Sequence, residues 1–233
     1  MADTLFLVEE NSPGVFTLPP AEKNHAVKVL RLRPGDAIEC TNGKGHLFVG
    51  RLEASFDITY LSELSHPGSA LPLHLYVSPT RQPDRLEWML EKCVELGLGH
   101  FTPILCERTQ AFRLKPERLQ SIALSAMKQS KRAFLPKIYP AIPFEDALKT
   151  ASADLMFLAT CAPDLSKVSP NLSWKNHATI HVFIGPEGDF SAAELDLAKE
   201  QGASFLDLGR ARLRTETAGL SVVQFLHHLH TFL

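Results

Sequence analysis

The alternation of apolar and polar positions changes its period near residue 70. Before that point, residues 1–70 consist of short runs in which apolar and polar positions alternate between turn residues, which is typical of β-strands. The Asn42-Gly43 pair between two such runs predicts a hairpin. Apolar residues recur at helical spacing only over 21–32. The pattern therefore predicts a small β-barrel with one helix, ending at a linker over 64–70.

After residue 70, strand-like runs alternate with helical ones. The predicted strands are 73–77, 101–105, 155–159, 181–184 and 204–208, and the predicted helices are 83–96, 116–130, 191–201 and 215–230. Such alternation is typical of an α/β domain with a mainly parallel sheet. Ligands of these sheets bind where the strands end in loops, so candidate chemistry is sought there.

Composition narrows the class of protein. With 45% hydrophobic and 21% charged residues, the 233-residue chain is suited to a folded protein. No apolar run approaches the roughly 20 residues of a membrane helix, and the first residues lack the order of a signal peptide, so we expect a cytoplasmic protein. The four cysteines are far apart and lack metal-ligand spacing. We therefore expect buried, reduced cysteines and no metal site.

Charge is unevenly distributed along the chain. The formal net charge is -2, yet residues 73–140 contain 11 Lys and Arg against 6 Asp and Glu. A basic segment within a neutral chain is compatible with nucleic-acid binding, since an average charge conceals a segregated surface.

One candidate strand end is Ile184–Ser191, in which two glycines allow a sharp turn and a close approach to a ligand. Ser191 and Glu194 have the spacing of a capping box for the next helix. The segment lacks the Lys-Ser/Thr ending of a P-loop and the third glycine of a dinucleotide fingerprint. An ordinary strand-to-helix turn is the alternative interpretation.

A second strand end carries three arginines in five positions, Arg210, Arg212 and Arg214, directly before Thr215-Glu216-Thr217. Arginines at such a point can hold an RNA phosphate, a carboxylate or a base. The residues that follow could equally be a helix cap and its favourable acidic first turn.

These two segments, IGPEGDFS and LDLGRARLRTETAGLS, resemble the signature of the ribosomal small subunit methyltransferase E family, within the SPOUT class of knotted methyltransferases. Three further stretches match the family: HAVKVLRLRPGDAIECTNGKG (25–45), WMLEKCVELG (88–97) and MKQSKRAFLPKI (127–138). Lys128 stands where many relatives carry a glutamate. The resemblance covers nearly the whole chain.

The resemblance implies a PUA-like RNA-binding β-barrel over 1–70 and a SPOUT α/β domain with a trefoil knot over 71–233. It also implies S-adenosylmethionine as the cofactor and a homodimer with a shared site. The C-terminal helix carries apolar residues that suit either a dimer surface or a core: Leu220, Val222, Val223, Leu226 and Leu229. Carried over position by position, the cofactor contacts are Thr160, Ile184, Gly185, Gly188, Leu208, Gly209, Leu213, Thr217 and Ala218.

The implied reaction is methylation of N3 of one uridine in 16S ribosomal RNA, within the small ribosomal subunit. Our hypothesis is that Arg214 stabilises the developing uridinate while Glu216 orients it or accepts the proton; a purely bracing role is the alternative for Glu216. Candidate RNA contacts are Lys28, Arg31, Arg33 and Lys44 in the barrel, and Arg108, Arg113, Lys115, Arg118, Lys128, Lys131 and Arg132 in the basic segment.

Three other functions are compatible with parts of this pattern. A methyltransferase of the same class acting on another RNA base would have similar cofactor loops. A noncatalytic RNA-binding assembly factor would keep the barrel and use the α/β domain only to dimerise. A nucleotide-dependent oxidoreductase is disfavoured by the missing dinucleotide fingerprint.

Overall fold

The computed structural model describes residues 4–12, 14–65, 68–110, 114–176 and 179–232. The chain divides into two compact units, one formed by 1–69 with 124–135 and the other by 70–123 with 136–233. The domain limits of 1–70 and 71–233 stay a prediction. They did not include the return of 124–135 to the first unit. No helix in the described parts of the chain is long and apolar enough to span a membrane.

The first unit contains a curled six-stranded sheet in the order β1-β4-β5-β6-β3-β2. Its elements are β1 (Leu5–Leu7), β2 (Glu9–Ser12), β3 (Val15–Thr17), α1 (Pro20–Asn24) continued by a π-helical turn (His25–Val29), β4 (Ala37–Thr41), β5 (Leu47–Leu52) and β6 (Asp57–Glu63). All pairs are antiparallel except β1 with β4. Alternate strand positions point inward, and Phe6, Phe16 and Phe48 fill the core.

The predicted hairpin joins β4 to β5, with Thr41 opposite Leu47. Its loop is longer than the two residues that an Asn-Gly turn would give. The reason is the side chain of Asn42, whose Oδ1 accepts hydrogen bonds from the backbone N–H groups of Lys44 (2.9 Å) and His46 (3.1 Å). An asparagine that binds the backbone two residues ahead organises its own turn.

Segment 124–135 belongs to the first unit through the end of helix α3 (Pro116–Gln129) and the residues after it. The carbonyl of Ala133 accepts hydrogen bonds from Thr41 Oγ1 (3.2 Å) and from the N–H of Gly45 (2.9 Å). Lys128 Nζ contacts Glu22 Oε1 at 2.6 Å, and both side chains are largely buried. This ion pair gives Lys128 a role in holding the segment to α1.

The second unit contains an eight-stranded parallel sheet in the order β10-β8-β7-β13-β11-β14-β12, with β9 beside β8. Its strands are β7 (Leu73–Val77), β8 (His100–Leu105), β9 (Lys137–Ile138), β10 (Ile142–Pro143), β11 (Leu155–Ala159), β12 (Lys167–Val168), β13 (Ile180–Ile184) and β14 (Ser204–Leu206). Its helices, besides α3, are α2 (Pro83–Glu95), α4 (Phe144–Thr150), α5 (Ala192–Glu200), α6 (Thr215–Phe232) and a 3-10 helix (Leu172–Asn176).

Helices α2 and α6 pack together closely in the second unit. A Cβ atom added at Gly219 would lie 2.7 Å from Met89 Sδ, so glycine lets the Met89 side chain pack against α6 without shifting. The apolar positions Val222, Val223, Leu226 and Leu229 are buried within the chain. They are core residues of the second unit. Of the two interpretations of this helix, a dimer surface or a core, the core is therefore correct for these four residues.

Several elements leave no periodic signal in the sequence. Strands β9, β10 and β12 have two residues each, which is too short for an alternating pattern. Helix α4 has seven residues and starts at a proline cap, Pro143. The mainly parallel sheet and its longer strands were predicted correctly, because buried parallel strands are nearly continuous apolar runs.

Candidate cofactor cleft

A cleft of about 720 Å³ lies in the second unit where β11, β13 and β14 end. These three strands are neighbours in the sheet, with β11 in the centre. The cleft is lined by Ala159 and Thr160 at the end of β11, by Ile184 and Gly185 at the end of β13, and by Leu206 at the end of β14. Its position is the one expected for a ligand of a parallel sheet, and its volume suits a small organic ligand.

The first wall of the cleft is the loop 185–190, which follows β13. A Cβ atom at Gly185 would lie 2.9 Å from the ring of Phe190, so glycine permits this close packing. The N–H of Asp189 donates to the carbonyl of Pro186 (2.9 Å) and closes a turn. Ser191 and Glu194 form the predicted capping box, which starts α5.

Three further hydrogen bonds hold this loop from outside. Thr215 Oγ1 donates to the carbonyl of Gly185 (3.0 Å), and Arg108 Nη1 donates to the carbonyl of Gly188 (2.8 Å). Arg212 Nη2 donates to the carbonyl of Glu187 (3.3 Å). The backbone carbonyls of Gly185, Glu187 and Gly188 are thereby held by side chains outside the loop.

The second wall is the loop between β14 and α6. Gly209 has a φ of +115°, a conformation that favours glycine, and its N–H donates to Asp207 Oδ1 (2.9 Å). Arg210, Arg212 and Arg214 all line the cleft and are exposed. This wall therefore places a dense positive charge beside the ligand space.

Most of the predicted cofactor contacts line this cleft. They are Thr160, Ile184, Gly185, Leu208, Gly209, Leu213 and Ala218. Gly188 and Thr217 are not among the lining residues. The carbonyl of Gly188 is held by Arg108, and Thr217 is exposed on α6, where its carbonyl accepts from Ser221 Oγ (2.8 Å).

The two predicted catalytic residues differ in their surroundings. Arg214 lines the cleft and is exposed, whereas Glu216 is 9% exposed at the start of α6. Glu216 Oε1 accepts a hydrogen bond from Arg85 Nη1 at 3.4 Å, and Arg85 lines the cleft as well. Sequence reasoning missed Arg85, since it lies in a predicted helix 131 positions from Glu216.

In the first unit, the predicted RNA contacts Lys28, Arg31, Arg33 and Lys44 are all exposed. Arg31 has a φ of +56° and lies two residues after the π-helical turn. The N–H of Arg33 donates to Asp36 Oδ2 at 2.7 Å, which fixes the backbone that carries these cations. Their guanidinium and ammonium groups are therefore accessible to a polyanion.

The basic segment is largely engaged in contacts within the protein. Lys131 pairs with Glu39 (3.0 Å), and Arg118 pairs with Glu87 (2.9 Å). Arg132 is 8% exposed, and burial lowers the pKa of its guanidinium. These contacts, with those of Arg108 and Lys128 above, leave less positive charge for RNA than the sequence suggested. Lys115 is exposed, and Arg113 lies outside the described residues.

The cysteines follow the expectation with one exception. Cys40, Cys93 and Cys106 are buried, and burial raises the pKa of Cys40 to about 12. Cys161 is exposed and lines the cleft, so the prediction of burial is wrong there. Among the described residues, no three His, Cys, Asp or Glu side chains are arranged to hold a metal ion.

Two family models match the chain. One describes an RNA methyltransferase domain and covers residues 67–227. The chain belongs to this RNA methyltransferase family. The other model describes the PUA domain of RNA methyltransferases and covers residues 18–57, within the first unit.

Individual relatives agree with this assignment. Ribosomal RNA small subunit methyltransferase E of Bacillus subtilis is 28% identical over 91% of this chain and 88% of its own length. A crystal structure of that enzyme from Neisseria gonorrhoeae, bound to S-adenosyl methionine, has a TM-score of 0.81 and 29% identity over 97% of each chain. A probable rRNA-methyltransferase from Porphyromonas gingivalis has a TM-score of 0.77 and 33% identity over 91% of this chain and 92% of its own.

The resemblance read from the motifs is thus confirmed, and the fold is a PUA-like unit followed by a SPOUT α/β unit. The threading of the trefoil knot stays a prediction, because strand order and pairing do not define it.

Proposed function

We propose that this protein transfers a methyl group from S-adenosylmethionine to N3 of one uridine in 16S ribosomal RNA. The observation that carries the proposal is the cleft at the ends of β11, β13 and β14, formed by the two segments whose sequences resemble the family signature. The relatives above, named for rRNA methylation, support ribosomal RNA as the substrate.

The cleft fits S-adenosylmethionine in size and chemistry. Ile184, Leu206 and Leu213 supply apolar surface for the adenine ring, and Gly209 leaves open space where a side chain would project. The acidic and basic side chains of the lining suit the hydroxyl, amino and carboxylate groups of the rest of the molecule. When bound, S-adenosylmethionine supplies a methyl group activated by a positively charged sulfur.

The protein must also prepare the uridine. N3 carries a proton and is a poor nucleophile until that proton is removed or shared. In our proposal, Arg214 faces the base and stabilises the negative charge that develops on it. Glu216 holds Arg85 through their ion pair and so orients a second cation at the cleft; accepting the proton is its alternative role.

We further propose that the exposed cations of the first unit bind phosphates of the RNA, as part of the small ribosomal subunit in the cytoplasm. A homodimer is proposed as the working form. Large apolar side chains that remain exposed on α2 and α6, Trp88 and Phe232, support a partner surface on these helices. Light scattering at working concentration tests this, since a monomeric mass would contradict it.

The function is tested by incubating small ribosomal subunits that lack base methylation with labelled S-adenosylmethionine and identifying the methylated nucleoside by mass spectrometry. The expected product is N3-methyluridine. A different methylated base would assign the enzyme to another RNA position. Cofactor binding without transfer to any ribosomal RNA would refute the substrate, and absence of both would favour a noncatalytic assembly factor.

A further inference from the structure

Asp189 has a left-handed backbone conformation, which is uncommon for residues other than glycine, although aspartate adopts it more readily than most. It lies in the first wall of the cleft with a φ of +64°. Residues other than glycine pay roughly 1 kcal/mol or more for such a left-handed conformation. Strain of this kind persists only when the surroundings of the residue favour it, so the contacts of its side chain are informative.

The carboxylate of Asp189 bridges two loops. Oδ2 accepts hydrogen bonds from Thr160 Oγ1 (2.9 Å) and from the N–H of Cys161 (2.8 Å), both in the loop after β11. Oδ1 accepts from the N–H of Phe190 (2.9 Å) in its own loop. Thr160 Oγ1 also accepts from the N–H of Ala162 (3.1 Å), so the Thr160 hydroxyl both donates and accepts a hydrogen bond here.

These bonds lie just beyond the point where the sheet stops holding the two loops together. Strands β11 and β13 pair up to Ala159 and Ile184. After that pair, the spacing of Thr160 and Cys161 from the loop 185–190 is set by Asp189. Three of the residues so connected, Thr160, Cys161 and Asp189, line the cleft.

We propose that Asp189 is a positioning residue of the cofactor cleft: its carboxylate fixes the loop after β11 against the loop after β13. The wall that receives S-adenosylmethionine is then formed before the ligand binds, which lowers the cost of ordering it on binding. The inference rests on the proposed function, because it concerns the same cleft.

The same two strands carry a matched control at their other end. Asp154 precedes β11, and its Oδ2 accepts from the N–H of Thr179 (3.0 Å), while its own N–H donates to Thr179 Oγ1 (2.9 Å). This aspartate also bridges β11 and β13, but at the end away from the cleft. Its loss should lower stability without changing the cleft.

The test compares Asp189→Gly, Asp189→Asn and Asp154→Ala with the unaltered protein by calorimetric binding of S-adenosylmethionine, urea unfolding and methyl-transfer kinetics. Glycine accepts the φ of +64° without strain, so this variant keeps the backbone and loses the bridge. Asparagine has one acceptor oxygen instead of two, so it satisfies only one of the two loops.

We expect Asp189→Gly to raise the Kd and KM for S-adenosylmethionine about tenfold, which corresponds to loss of one or two charge-assisted hydrogen bonds. Asp189→Asn should be intermediate, and kcat at saturating cofactor should stay within about twofold. Asp154→Ala should unfold at lower urea with an unchanged Kd.

An unchanged Kd in Asp189→Gly, or an equal rise in Asp154→Ala, would overturn the positioning role while leaving the proposed function intact. Failure of the unaltered protein to bind S-adenosylmethionine would refute the proposed function itself, and the positioning role with it.

Discussion

Acid should destabilise this fold through a row of histidines across the parallel sheet. His74 on β7 is paired in register with His181 on β13 and with His100 on β8. The ring centroid of His74 lies 5.1 Å from that of His181 and 5.3 Å from that of His100. Burial lowers the pKa of His74 to about 3, and the positive charges that His181 and His100 would carry contribute a smaller part of this shift. Burial lowers the pKa of His181 to about 4, with His100 as the smaller cause.

The size of the effect follows from proton linkage. In the unfolded chain a histidine has a pKa of about 6.5, so below that value the unfolded state binds a proton that folded His74 does not. Stability is therefore fully present above about pH 6.5 and is lost as the pH falls toward the folded pKa. At about 1.4 kcal/mol per pH unit, His74 accounts for about 2 kcal/mol between pH 6.5 and about 5. His181 acts in the same direction, but less strongly because its pKa is lowered less, to about 4.

The assay is urea unfolding at about pH 7 and about pH 5, followed by the fluorescence of the buried Trp174. His74→Phe keeps a ring in the row but removes the titrating group and its 2.7 Å hydrogen bond to Thr102. Thr102→Val removes the same hydrogen bond and keeps the imidazole. We expect both variants to be less stable than the unaltered protein at about pH 7. On acidification to about pH 5, the free energy of unfolding should fall by about 2 kcal/mol less in His74→Phe than in the unaltered protein. In Thr102→Val it should fall as much as in the unaltered protein. Parallel pH dependences for His74→Phe and the unaltered protein would refute the reasoning.

Three other predictions concern charged groups. Arg214→Ala should bind S-adenosylmethionine normally but lower kcat about 100-fold, as for other groups that stabilise developing charge; full turnover would remove Arg214 from the mechanism. Lys128→Met leaves the largely buried Glu22 without its cation and should cost about 2 kcal/mol in urea unfolding, whereas Lys149→Met, which breaks a fully solvated pair with Glu145, should leave the urea midpoint nearly unchanged. RNA affinity should fall steeply with salt, and Arg31→Ala should reduce that slope by about one; a slope that Arg31→Ala leaves unchanged would exclude a phosphate contact there.

The features that could be predicted from the sequence are those that repeat along it. Strands β7 and β11 were predicted with their observed bounds, because a buried parallel strand is a nearly continuous apolar run, interrupted in β7 only by His74. The capping box at Ser191 was predicted because its two residues are three positions apart. The return of 124–135 to the first unit has no periodic signature, since it depends on contacts such as the one from Lys128 to Glu22.

The same reason explains which parts of the site were missed. The glycine-bounded loops are local features, and both were found. The groups that hold those loops are distant in sequence: Arg85 is 131 positions from Glu216, and Thr160 is 29 positions from Asp189. Asp189 lies within the IGPEGDFS motif, yet nothing in that motif shows that its backbone is left-handed or that its carboxylate reaches the loop after β11.

The two walls of the cleft are built differently, and this difference separates two steps of the proposed reaction. The wall after β13 is held by Asp189, Thr215 and Arg108 through bonds to its own backbone and to the neighbouring loop. The wall after β14 instead presents exposed arginines, including Arg214, to the ligand space. A wall fixed by the protein suits a cofactor that must bind in one orientation, whereas exposed cations suit charge that appears only as the uridine reacts. Changes at Asp189 should therefore alter the KM for S-adenosylmethionine with little effect on kcat, and changes at Arg214 should do the reverse. If both variants altered the same kinetic constant to the same degree, the two walls would have to act as one unit.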